Sequence, residues 1–201
     1  MSEEHDSLVR EIIGKSNSFR SLIHGIIHWR RVERNGVFLS KELGIDPTVP
    51  ILFAYCHDSK RKRDCFDKMH GERAAAFVEG NPALRESLST ATIEELAFAC
   101  RFHSHHFTAP SETIGVCWDA DRLDLHRLGM MPDPKYLNTE PAKKFAELGQ
   151  YDQLNKQQLR NFDAPFDCKG RSFLSMLVRR SGKALRVFSN YRPRSRSNYQ
   201  L

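Results

Sequence analysis

One stretch constrains the fold more than any other. Asp46-Pro47-Thr48-Val49-Pro50-Ile51-Leu52-Phe53-Ala54-Tyr55 runs directly into Cys56-His57-Asp58. Asp before Pro is a helix start, with Asp as N-cap and Pro at the first helical position. The helix that follows is apolar nearly all round, which marks a central helix covered by others. An imidazole and a carboxylate at the end of such a helix need partners, because an isolated buried charge costs several kcal/mol or more. The rest of the chain must supply them.

Apolar periodicity predicts helices along most of the chain. Leu8, Ile12 and Ile13 mark a helix over residues 7–15. Ser21 can cap a second helix running to about Asn35, where Asn35-Gly36 is a stop signal, and a short helix over Phe38–Leu43 ends at Gly44. Residues 65–79 read as a further helix ended by Asn81-Pro82. Thr92-Ile93-Glu94-Glu95 is a capping box opening a helix through about Ser104. Others are expected from Glu112 to Leu128, ended by Gly129, and over Pro141–Leu148, with Met131–Pro134 as a loop between them. Gln157–Asn161 and Ser172–Val178 read as short helices, and Arg192–Ser197 as disordered for want of apolar residues. There is no internal repeat and no β-hairpin signal. The expected architecture is an all-α bundle over residues 1–165 with a basic C-terminal extension over 166–201.

Charge sharpens that division. Lys169–Leu201 carries nine Lys and Arg and no acidic residue, whereas the preceding residues carry 22 basic and 25 acidic side chains. The overall charge of +6 therefore says little about what the body binds. The basic extension, with Phe188, Tyr191 and Tyr199, can track a nucleic-acid backbone and stack on bases; the alternative is a terminus kept soluble by charge. No run approaches the roughly 18 apolar residues of a membrane span, so no membrane partner is expected. The five cysteines are odd in number and include no C-x-x-C pair, which argues against a disulfide framework and for a reducing, cytoplasmic setting.

Eight of the nine histidines lie between His24 and His126. His24 and His28 are four apart and share a helix face. Downstream, Ile114, Cys117, Asp121, Leu125 and Leu128 form one stripe, with Asp121 inside it. Asp119 stands about 200° away round the helix and cannot face the same centre. A carboxylate on a core stripe is either ion-paired with Arg or metal-bound. His57 and Asp58 diverge by about 100° yet can reach one ion off the helix end. Neutral imidazoles and ionised carboxylates converging from separate helices suit a divalent metal.

These residues carry a resemblance. His28-x-x-Arg31-Val32, then His57-Asp58, then Ala120-Asp121-Arg122-Leu123 resembles the HD-domain superfamily of metal-dependent phosphohydrolases over about residues 20–130. Within it the chain is similar to small stand-alone members with a His24-Gly25-x-x-His28-Trp29 opening and a Trp118–Leu125 stretch. The resemblance implies an all-helical fold with His28, His57, Asp58 and Asp121 round one divalent ion. Some members hold a second ion through extra histidines, for which His70 and His103 are placed. His24 is a candidate substrate contact or support for His28.

The implied chemistry is hydrolysis of nucleotides or other small phosphate esters by a metal-bound hydroxide. The ligand types suit Mn, Fe, Co, Ni or Zn. Asp58 is the candidate proton acceptor through its second oxygen. Arg73 and Arg122 are the candidate cations for phosphoryl charge, while Lys60–Arg63 reads as a solvated run. Three rivals remain: a non-catalytic module that binds metal or nucleotide, a nucleic-acid-binding protein using the extension, and oxygen chemistry at an iron pair held with His70 and His103.

Overall fold

The computed structural model describes residues 3–149. The expected helices at Gln157–Asn161 and Ser172–Val178, the disorder expected at Arg192–Ser197 and the boundary at residue 165 all lie outside the described residues. Within them the chain forms eight α-helices: α1 Glu3–Gly14, α2 Ile26–Leu43, α3 Thr48–Cys56, α4 His70–Gly80, α5 Pro82–Ser87, α6 Thr90–Phe102, α7 Glu112–Leu123 and α8 Glu140–Glu147. No strand occurs among the described residues, so the fold is all-α. No described helix is long and apolar enough to cross a membrane.

The apolar run is the centre, as its composition requires. α3 is buried from Val49 to Cys56 and packs against α1, α2, α6 and α7. Asp46 accepts from Thr48 N at 2.9 Å, so the Asp-Pro start opens the helix one residue later than expected. Leu52 and Phe53 are fully buried, as are Trp29, Leu96 and Trp118 from neighbouring helices. Burying each such side chain contributes about 1.5–3 kcal/mol. Trp118 also donates from Nε1 to Ala99 O at 3.0 Å, tying α7 to α6. A second apolar cluster of Leu39, Val116, Leu123, Leu137 and Ala142 seats α8 on α2 and α7.

Several boundaries differ from the sequence reading. Asn35-Gly36 stops nothing. α2 runs through it to Gly44, whose φ of +70° ends the helix in the left-handed region that glycine favours. Both residues serve packing instead. Asn35 donates from Nδ2 to Ala120 O of α7 at 2.9 Å. At Gly36 a Cβ would stand 3.1 Å from Pro50 Cβ, so glycine lets α3 approach closely. The Ser21 hydroxyl accepts from His24 N at 2.8 Å, but it caps a turn, and α2 begins only at Ile26. The helix expected from residue 65 begins at His70. Asn81 ends α4 and also caps α5, a helix absent from the sequence reading. Ser89, not Thr92, caps α6. α7 tightens to a 3-10 turn over Asp124–Leu128.

Cys56, Cys100 and Cys117 are buried free thiols and Cys65 is an exposed one.

Candidate metal centre

Five helix ends meet at one point. His28 comes from the first turn of α2, and His57 and Asp58 from the turn that follows α3. His70 opens α4, His103 follows α6, and Asp121 stands near the end of α7. All are buried except Asp121, whose side chain is 20% exposed.

The histidines are held by their δ nitrogens. His57 Nδ1 lies 3.1 Å from both Phe53 O and Ala54 O. His103 Nδ1 lies 2.7 Å from Cys100 O, and His70 Nδ1 2.5 Å from Asp67 O. A carbonyl only accepts, so each of these rings carries its proton on Nδ1 and presents a lone pair at Nε2. His28 Nδ1 meets the Asp124 carboxylate at 2.7 Å, with the same consequence.

The ε nitrogens then point at one another. His28 Nε2 and His57 Nε2 are 3.2 Å apart, and His70 Nε2 and His103 Nε2 are 3.0 Å apart. Two lone pairs at hydrogen-bond distance call for a positive charge between them, which a shared proton or a metal ion supplies. The carboxylates complete the arrangement. Asp121 Oδ1 is 3.2 Å from His28 Nε2 and 3.9 Å from His57 Nε2. Asp58 Oδ2 is 3.8 Å and 3.6 Å from the same two atoms. Neighbouring donors round an ion held at about 2.1 Å lie roughly 3.0–3.4 Å apart, so the set needs only small adjustment. Two overlapping groups have all their donor atoms within 4.8 Å of one another: His28, His57 and Asp121, and His57, Asp58 and His103.

Protonation agrees with the geometry. Burial pushes His57 below its ordinary value. Burial, with the neighbouring ring, pushes His70 and His103 down to about 4. Burial alone would raise Asp58 and Asp121, but adjacent rings, and Arg61 at Asp58, hold both below the usual carboxylate range. His28 differs: burial opposes its charge, yet the Asp121 and Asp124 carboxylates raise it. Neutral imidazoles, ionised carboxylates and a site that draws positive charge toward His28 Nε2 fit a divalent ion.

Of the two carboxylates weighed by helix angle, Asp121 stands in the cluster. Asp119 is fully buried but points away from the cluster. It accepts from Asn138 N at 2.8 Å, Asn138 Nδ2 at 3.1 Å, Thr139 N at 2.7 Å and Thr139 Oγ1 at 2.8 Å, so it anchors the segment leading into α8.

The cations depart from expectation. Arg73 donates to Lys60 O at 3.0 Å and Asp67 Oδ2 at 2.5 Å. Arg122 donates to Tyr136 O at 2.8 Å and to His106 O, over the rings of Phe107 and Trp118. Both forks are committed to holding loops. Arg61, from the run expected to be solvated, instead folds inward and donates from Nε to Asp58 Oδ1 at 2.7 Å. The second Asp58 oxygen, expected to be free for a proton, therefore carries this bond. His24 sits at the rim, Nδ1 3.4 Å from Asp64 Oδ1, its ring edge-on to His28 at 6.5 Å.

Asp124 escaped the sequence reading. It is fully buried, accepts from His28 Nδ1, and takes Arg31 Nε at 2.5 Å and Nη2 at 3.0 Å. A carboxylate behind a ligating histidine fixes the ring and raises its basicity. Its position three residues beyond Asp121, on the same helix face, was the available signal.

Comparison with family models and with curated proteins finds no match. Among solved structures, the chain is similar to the crystal structure of a predicted HD superfamily hydrolase from an uncultured Thermotogales bacterium. The TM-score is 0.57 at 27% identity, covering 78% of this chain and 88% of that one. With helices that converge His28, His57, Asp58 and Asp121 on one point, the chain has the HD-domain fold.

Proposed function

We propose that the chain is a metal-dependent phosphohydrolase acting on nucleotides or other small phosphate esters. The observation that carries this reading is the set of δ-pinned histidines whose ε lone pairs converge on Asp58 and Asp121. His28, His57, Asp58 and Asp121 would hold the ion, and their donors suit Mn, Fe, Co, Ni or Zn. A bound divalent ion supplies an acidified water and polarises a phosphoryl oxygen. The similarity to a predicted hydrolase supports the same reaction class.

The chain's own residues do the rest. The δ-side carbonyls and Asp124 keep the rings aimed with no reorganisation as charge develops. The histidines and Asp58 are buried, and Asp121 is 20% exposed. Asp58, bonded to Arg61 and held ionised, would serve as a ligand. The proton-accepting role moves to Asp121, whose carboxylate reaches solvent.

The test is phosphate release by the metal-stripped full chain with added Mn, Co, Ni or Zn. Substrates are nucleoside mono-, di- and triphosphates and an aryl phosphate. Metal-dependent release, abolished in Asp121→Ala, is expected. Stoichiometric metal binding without release from any ester would instead make this a non-catalytic metal-binding module.

A further inference from the structure

His70 and His103, which the first ion set does not use, form a second triangle with Oδ1 of Asp58. His70 Nε2 and His103 Nε2 are 3.0 Å apart, and Asp58 Oδ1 is 3.5 Å from the first and 3.9 Å from the second. These edges resemble those round His28. Asp58 would serve both sets, Oδ2 toward one and Oδ1 toward the other.

A cation already belongs to this triangle. Arg61 Nε donates to Asp58 Oδ1 at 2.7 Å, and Arg61 Nη2 lies 3.3 Å from His70 Nε2. His70 carries its proton on Nδ1, toward Asp67 O, so Nε2 accepts from the guanidinium. Arg61 Nη1 reaches Cys65 O at 3.4 Å, which steadies the fork. Two of the three donor atoms are thus bonded to one side chain that is only 13% exposed. A guanidinium does not deprotonate in proteins, so an incoming ion must break both bonds and face a fixed positive charge.

We propose that Arg61 is a resident cation occupying the second ion position, so that the native chain holds one ion and the site becomes binuclear only when Arg61 is removed. The inference rests on the proposed first ion site. It makes the enzyme a single-ion hydrolase with a guanidinium bound to the Asp58 carboxylate. Oxygen chemistry at an iron pair would require Arg61 to leave.

The experiment titrates the metal-stripped full chain, Arg61→Met and Arg61→Ala with Mn(II) by calorimetry. Desalted samples are then counted by elemental analysis, and Co(II)-loaded samples are examined by electron paramagnetic resonance. Helix content by circular dichroism selects the variant that keeps the fold. The native chain is expected to take one equivalent and show uncoupled Co(II). The variant is expected to take two, the second bound roughly 10–100-fold more tightly than any second ion in the native chain, with spin-coupled Co(II). Adding His103→Ala should return the variant to one equivalent. Two tight equivalents in the native chain overturn the proposal, as does a single equivalent in both proteins. No ion in any of them overturns the phosphohydrolase reading beneath it.

Discussion

Asp124→Asn separates orienting a ligand from holding up the fold. The native carboxylate is about 1% exposed and bonds His28 Nδ1 at 2.7 Å, Arg31 at 2.5 and 3.0 Å, and lies 3.4 Å from Arg127 Nη1. Asn keeps one acceptor oxygen but turns an NH2 toward donors. Removing one partner of a buried ion pair costs roughly 3–5 kcal/mol. Arg31 and Arg127 are partly exposed, which reduces the expected loss to about 2–4 kcal/mol. Loss of the carboxylate also lowers His28 basicity and frees its ring, which should weaken metal binding by roughly 10–100-fold. Asp119→Asn is the control: it replaces one of the two oxygens that accept from four donors of Asn138 and Thr139 and should lower stability without touching the ion. Urea denaturation gives the stability changes, and competition with a chromophoric chelator gives the affinities. Equal metal affinity in native and Asp124→Asn protein, or equal losses in the two variants, would refute the reasoning.

Two further outcomes follow from the same geometry. In the metal-stripped chain, burial lowers His70 and His103 to about 4, while unfolded His takes its proton near 6.5. The unfolded chain therefore binds more protons below that pH. This contribution to stability is complete above about pH 6.5 and falls as pH drops toward 4, by up to about 1.4 kcal/mol per pH unit for each group; His28, whose value is raised, works in the opposite sense. Urea midpoints that stay flat from pH 7 to 4.5 would contradict the buried neutral pair. At Gly71 a Cβ would stand 2.7 Å from Arg101 O and 2.8 Å from Cys100 O. Gly71→Ala should thus force α4 off α6 and cost about 1–3 kcal/mol, and an unchanged thermal midpoint would tell against that close approach.

Much of the centre could be read from the residues because helix angles are strict. Asp121 and Asp119 differ by two positions, so one faces the cluster and the other cannot. The run from Val49 to Tyr55 had to be central for lack of a polar face. What escaped depends on tertiary context. Asn35-Gly36 looks like a stop, but its side chain and its lack of one are spent on Ala120 O and Pro50. Four consecutive basic residues look solvated, and nothing local says that Arg61 folds back. That follows from α4 placing His70 within its reach. Arg73 and Arg122 lie near the motifs, yet their forks are drawn off by carbonyls from loops that only the fold brings close.

The central claim is that an ion sits among His28, His57, Asp58 and Asp121. The most direct measurement is metal content by elemental analysis of the native full chain and of Asp58→Ala, both purified without chelator or nickel resin. The account predicts about one divalent ion per native chain and its loss in the variant, with helix content retained. No metal in the native chain, and none taken up when Mn, Fe, Co, Ni or Zn is added, would contradict it.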